Sequence, residues 1–125
     1  MSARTMLCRL DELPDGGSRG LLRVGNEDRL FAVRQGSEVF VWHNDCPHNH
    51  RPLEFQQDRF LSAGGEHIVC FAHGAHFEIR TGLCFAGPCW GDRLSGVEAH
   101  IEDGAVWIDE ALADRIRTRS RWDMK

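Results

Sequence analysis

The sequence predicts an all-β domain of antiparallel sheets with one short helix near its C-terminal end. Three observations lead there. Runs rich in β-branched and aromatic residues are short and bounded by turn residues. The 13 glycines are scattered rather than clustered, so the chain reverses direction often. Only the segment 109–119 carries a helical signature. At 125 residues the chain is long enough for one core and too short for two, so residues 1–125 read as a single domain with 109–125 at its periphery. The expected architecture is about eight to ten short strands with sandwich or Greek-key-like packing.

The elements follow in order. Thr5–Leu10 alternates weakly and reads as a strand, and Asp11–Gly20, dense in Asp, Pro and Gly, reads as a loop. Leu21–Val24 and Arg29–Arg34 form a hairpin with Gly25-Asn26 or Glu27-Asp28 at its tip. Gly36-Ser37 turns the chain into the strand Glu38–Trp42. Leu53–Asp58 has no clean period and reads as an irregular loop or a short helical turn. Phe60–Ser62 is a brief strand before the Gly64-Gly65 turn, and His67–Phe71 and Ala75–Ile79 are strands, the latter closed by Thr81-Gly82. Val97–Ile101 and Ala105–Ile108 pair around Glu102-Asp103-Gly104, with Asp-Gly as the tip signal. The final helix has acids in its first turn and arginines late, the polarity its dipole favours, and a narrow apolar stripe of Leu112 and Ile116.

Composition excludes several functions. No run of 18 apolar residues exists, so no membrane span is expected. The start, M-S-A-R-T-M-L-C-R-L-D-E, has neither a secretory apolar segment with a small-residue cleavage site nor a twin-arginine signal, and a cytoplasmic protein is expected. In that compartment five cysteines point to metal ligation or free thiols rather than a disulfide scaffold. Net charge is −4; residues 109–125 hold five basic and four acidic side chains, leaving ten basic and fifteen acidic in the body. A mildly acidic body suits transient docking on basic partners or simply solubility, and the one dense basic run is the short tail, so no nucleic-acid partner is expected.

The chemistry lies between Asn44 and Gly91. Two boxes, Cys46-Pro47-His48 and Cys70-Phe71-Ala72-His73, stand 21 residues apart, each offering one thiolate and one imidazole. His73-Gly74-Ala75-His76-Phe77, Arg80-Thr81-Gly82 and Gly87-Pro88 follow the second box, and Pro52-Leu53 follows the first. By donor chemistry alone, Cys46, His48, Cys70 and His73 suit either iron in a cluster or a tetrahedral structural zinc. Zinc fingers, however, usually pair Cys with Cys and His with His, whereas each box here is mixed. His50 and His76 lie close enough in sequence to leave the ligand register open.

At these residues the chain resembles the Rieske-type ferredoxins, over roughly Phe31 to Ile108. The resemblance implies a [2Fe–2S] cluster with Cys46 and Cys70 on one iron and His48 and His73 on the other. It makes His50 and His76 rim residues and Gly87-Pro88 a third loop covering the cluster. His50 departs from the family, which usually has a small residue there. Two neutral imidazoles in place of two thiolates remove negative charge and raise the potential above that of an all-cysteine cluster. High-potential members add Ser and Tyr hydroxyls beside the second loop; this chain has Ala75 and Phe77 near those places and no tyrosine. A potential on the order of −150 mV, near the low end of the Rieske range, follows. The bridge between ligand loops in respiratory Rieske proteins would fall on Arg51 and Ala72 and cannot form.

The second domain that a Rieske oxygenase uses for its mononuclear iron has no room in this length. The function implied by the resemblance is a monomeric one-electron carrier, not an enzyme, between a flavin-containing NAD(P)H-dependent reductase and a terminal oxygenase. The alternative is a small Rieske subunit or regulatory module of a larger enzyme such as nitrite reductase. The imidazole edges of His48 and His73 are the expected exit, with Pro47, His50, His76, Pro88 and Trp90 as the docking patch. Trp90 reads equally well as a core residue. Cys8 is expected in the core. Cys84 and Cys89 flank the proline loop, where two thiols fit a reducing compartment better than a disulfide. His43, His67 and His100 read as ordinary strand or surface histidines.

Overall fold

The structure is a computed structural model that describes residues 3–47, 51–54 and 56–118. Its strands are β1 (Arg4–Arg9), β2 (Ser18–Val24), β3 (Glu27–Gln35), β4 (Glu38–His43), β5 (Ile68–Cys70), β6 (Ala75–Phe77), β7 (Cys84–Ala86), β8 (Gly96–Val97), β9 (His100–Glu102) and β10 (Ala105–Asp109). They form three antiparallel sheets in the orders β1-β10-β9, β2-β3-β4-β8 and β5-β6-β7. One helix, α1 (Glu110–Thr118), follows directly on β10.

The β2-β3-β4 meander is the partition on which the rest is mounted. Side chains alternate across a strand, and both faces of β3 are buried from Asp28 to Val33. Phe31 and Val33 face one apolar cluster, shared with Trp42, Leu53, Phe60, Ile68, Phe77 and four of the five cysteines. Leu30 and Ala32 face a second, shared with Cys8, Leu13, Val106, Ile108, Ala113 and Ile116. The first cluster carries the sheet β5-β6-β7 and the cysteine-rich loops; the second holds β1, β10 and α1. Cys8 is therefore the core residue expected.

Local signals explain most elements. Val24 pairs with Glu27 across the two-residue tip Gly25-Asn26, which selects the first of the two expected tips. Glu102 pairs with Ala105 across Asp103-Gly104, both at positive φ (53° and 71°), as a two-residue hairpin of right twist requires. The Asp109 carboxylate accepts from the Ala111 amide at 3.2 Å and caps α1. The helix buries Ala113 and Ile116, while Leu112 is only half-buried against the same cluster. The expected stripe of Leu112 and Ile116 thus faces the core, widened by Ala113. Position 119, the expected helix end, lies outside the described residues.

The structure departs from the sequence reading in four places. Val97–Ile101 is not one strand: β8 pairs with β4 (Val41 with Val97), whereas β9 pairs with β10, so the chain crosses between sheets at 98–99. The loop after β1 ends early, because Ser18-Arg19-Gly20 extends β2 opposite Phe31–Val33. Cys84–Ala86, unassigned from sequence, is the edge strand β7 on β6. Phe60–Ser62 contributes only an isolated bridge, Leu61 with Ile68. The irregular connector before it is pinned by side chains. Phe60 stacks on Phe31 at 4.4 Å between ring centroids, and the Asp58 carboxylate accepts from the Gly20 amide at 2.8 Å.

Candidate metal centre

Three loops converge on the first apolar cluster. The first leaves β4 at Asn44 and returns by Leu53; the second joins β5 to β6; the third, Gly87–Gly91, follows β7. His48 and His50 lie outside the described residues. The first loop is closed across its base by the Cys46 amide donating to the Arg51 carbonyl at 2.9 Å. The Phe71 amide donates to the Leu53 carbonyl at 3.1 Å, so the first and second loops are joined through their backbones.

The root of the first loop is fixed by Asn44, which is fully buried. Its Nδ2 donates to the Asp28 carbonyl at 2.9 Å and to Glu54 Oε1 at 3.0 Å, while its Oδ1 accepts from the Leu53 amide at 2.9 Å. One side chain thus ties both limbs of the loop to β3. The sequence reading missed it. The available signal was an amide at the junction of an apolar strand and a Cys-x-His box, a place where a buried polar group must be satisfied in full.

Cys46 and Cys70 are both fully buried, and their side chains are in hydrogen-bond contact. That contact, against the opposing effect of burial, lowers the Cys70 thiol to about 6; the backbone amides of Ala72 and His73 and the charge of Arg51 act in the same direction. Pairs of main-chain N–H groups turned toward a sulfur stabilise negative charge there. His73 is exposed on the same loop. Among the described residues, no three His, Cys, Asp or Glu side chains are gathered closely enough to hold a metal ion by themselves. The structure therefore brings together two of the four expected ligands and leaves His73 at the surface of the second loop.

The proline loop closes over the second loop through Gly87. Its φ is +97°, and a Cβ there would stand 2.7 Å from the Ala75 Cα and 3.0 Å from the Gly74 carbonyl oxygen. Only a residue without a side chain allows backbone to lie on backbone this closely. Beneath that loop, Cys84 and Cys89 are buried with their sulfurs 3.1 Å apart. Burial first, then the hydrogen bond and charge of Cys84, push the Cys89 thiol up to about 12; Cys89 also touches the Cys46 side chain. Four sulfurs thus run in a chain through the core: Cys70, Cys46, Cys89, Cys84.

Several aromatic side chains on the segments around this core face solvent. Phe71, Phe85 and Trp90 are exposed, Trp90 by 75%, which decides against the core reading of that residue. Pro88 is exposed and Pro47 half-buried. His76 is half-buried, its Nδ1 has no partner among the described residues, and its ring meets that of His67 at 4.6 Å and of Phe85 at 6.1 Å. Burial and, secondarily, His67 lower its pKa. His67, half-buried directly before β5, is thus a neighbour of His76 and Phe85. Ala75 and Phe77 are fully buried, so no hydroxyl stands at either position.

Comparison with known proteins agrees with this geometry. Over 106 residues the chain is 26% identical to the 3-phenylpropionate/cinnamic acid dioxygenase ferredoxin subunit of Photorhabdus laumondii, covering 85% of this chain and 93% of that one. The ferredoxin of Sphingomonas yanoikuyae B1 superposes with a TM-score of 0.65 at 30% identity, covering 86% and 98% of the two chains. The ferredoxin seen with its oxygenase in carbazole 1,9a-dioxygenase has the same fold, with a TM-score of 0.64 at 22% identity over 87% of this chain and 94% of that one. No helix among the described residues is long and apolar enough to cross a membrane. Since the profile of the Rieske [2Fe-2S] domain also matches residues 3–100, the chain belongs to the Rieske [2Fe-2S] family, whose cofactor is a two-iron, two-sulfide cluster.

Proposed function

We propose that this protein is a one-electron carrier that receives an electron from a flavin-containing NAD(P)H-dependent reductase and delivers it to a terminal oxygenase. The single observation that carries the reading is the pair of buried sulfurs, Cys46 and Cys70, held between two joined loops with His73 exposed beside them. The residues fit the family's cluster. Two sulfurs in contact, one of them drawn toward thiolate by the other and, to a lesser degree, by backbone amides, are a ready donor pair for the inner side of a cluster. Cys46, Cys70, His48 and His73 would hold it, the cysteines shielded from water and His73 at the surface. When bound, the cluster supplies a site that takes up and gives back one electron.

The chain's own residues do the rest. Asn44 holds the first loop, and the Ala72 and His73 amides orient and neutralise the Cys70 sulfur. Gly87 lets the proline loop lie directly on the Gly74-Ala75 backbone of the second loop. Phe71, Phe85, Pro88 and Trp90 are exposed apolar side chains on the second box, β7 and the proline loop, of the aromatic composition that docking patches favour. The names of the relatives, ferredoxin components of dioxygenase systems, support an oxygenase as acceptor. A carrier that must dock first on one partner and then on another is expected to be monomeric, and five cysteines with no disulfide among them suit the cytoplasm.

Metal analysis and spectroscopy test the reading together. Anaerobically purified protein should be red-brown, hold two irons and two acid-labile sulfides per chain, and give a Rieske-type paramagnetic signal on reduction. The reduced protein should then be reoxidised on mixing with an oxygenase of this type. A colourless protein with stoichiometric zinc would overturn the proposal.

A further inference from the structure

We propose that Cys84 and Cys89 form a reversible dithiol–disulfide pair that closes beneath the proline loop under peroxide and is sensed at the neighbouring ligand cysteine, Cys46. Their sulfurs already lie 3.1 Å apart, whereas a disulfide needs about 2.05 Å. Closure therefore asks for a movement of roughly 1 Å, within the reach of side-chain rotation. The backbone has already been bent for it. The Gly91 amide donates to the Cys84 carbonyl at 3.0 Å and the Cys84 amide to the Asp92 carbonyl at 2.8 Å, so the loop between the two cysteines is shut by main-chain bonds. A crosslink across so short a loop gains little from chain entropy, and with no strong thermodynamic lock it is open to reduction. That is the behaviour of a switch rather than a staple.

Position decides selectivity. Cys84 and Cys89 are 1% and 3% exposed, beneath a loop whose Gly87 and Pro88 face solvent. A small oxidant is suited to such a pair, and bulky disulfides are not. On the two-iron reading Cys46 and Cys70 are occupied, and Cys8 is on the far side of the meander in the other apolar cluster. Only Cys84 and Cys89 are then both free and adjacent.

The chemistry balances with a hydroperoxide as oxidant. One thiol loses its proton and its sulfur attacks a peroxide oxygen; the S–O bond forms, the O–O bond breaks, and the leaving hydroxide takes the proton as water. The second thiol then attacks the sulfenic sulfur; the S–S bond forms, the S–O bond breaks, and a second water leaves. Two thiols lose two electrons and one peroxide becomes two waters. The Cys89 S–H is directed at Cys84 while its sulfur touches Cys46, so closure, by drawing that sulfur toward Cys84, alters the contact at the ligand sulfur. The potential of a cluster depends on the contacts made to its sulfurs, and the midpoint should shift on closure.

The test uses the iron-loaded protein, hydrogen peroxide and maleimide labelling after an acid quench. Reduced protein carries five labels, one per cysteine; oxidised protein should carry two fewer, with a Cys84–Cys89 crosslinked peptide, before the visible bands bleach. Dithiothreitol should restore all five. C84S and C89S should each keep four labels through the same treatment. Labels lost only as the bands bleach, a crosslink through Cys46 or Cys70, or oxidation confined to sulfinic acid would each overturn the proposal. Iron and sulfide content, measured on the same sample, reports separately on the carrier reading.

Discussion

Replacing Asn44 with alanine should loosen the first loop before it melts the sheet. Three hydrogen bonds are lost: to the Leu53 amide, the Asp28 carbonyl and the Glu54 carboxylate. Glu54 is half-buried and regains water, so its bond counts for little. Leu53 is fully buried and Asp28 is 4% exposed, so their backbone groups are left without a solvent substitute. A buried unsatisfied group costs about 1–3 kcal/mol, which gives roughly 2–6 kcal/mol for the two. With a mid-range urea m-value of about 2 kcal/mol/M, the midpoint should fall by roughly 1–3 M. Asn44→Asp separates the two halves of the network. It keeps an acceptor for Leu53 but sets an oxygen against the Asp28 carbonyl and the Glu54 carboxylate, and should destabilise at least as much. The assay follows two signals in the iron-loaded protein: visible absorbance for the ligand loops and tryptophan fluorescence, to which the buried Trp42 contributes, for the meander. In both variants bleaching should precede the fluorescence change. Bleaching and midpoint indistinguishable from wild type in both would refute the assignment of Asn44 as the fixing point of the loop.

Three further outcomes are expected. Gly87→Ala puts a methyl 2.7 Å from the Ala75 Cα; because the obstacle is backbone, the proline loop should lift, and bleaching by an iron chelator should accelerate roughly tenfold, about 1.4 kcal/mol. A chelation rate equal to wild type would show that the loop does not seal the site. Trp90→Ala removes a side chain that is 75% exposed; stability should change by less than about 0.5 kcal/mol, whereas electron delivery to an oxygenase should weaken about tenfold at subsaturating carrier. Unchanged transfer would take Trp90 out of the docking rim. With Ala75 and Phe77 buried and no hydroxyl at either place, a redox titration should give a midpoint on the order of −150 mV, and a value above about +100 mV would refute the hydroxyl argument.

The sequence by itself determined what depends on neighbours in the chain. The Cys-x-His and Cys-x-x-His boxes, the hairpin tip at Asp103-Gly104 and the dipole-matched helix α1 are local features, legible from residue type and spacing, whereas the choice of Gly25-Asn26 over Glu27-Asp28 came from the β2-β3 register. Tertiary structure decided what depends on distant segments meeting. That β3 is buried on both faces follows from two clusters closing on it from opposite sides, and its residues alone do not announce it. The division of Val97–Ile101 between two sheets was set by β4 and β10 competing for partners. Asn44 acquired its role only when Asp28 and Leu53 came within 2.9 Å, and Trp90 its exposure only when the Gly87–Gly91 turn swung it off the core. The sulfur chain from Cys70 to Cys84 crosses three loops, and proximity across loops is a property of the fold, since hydrophobic burial packs side chains without regard to their order in the chain.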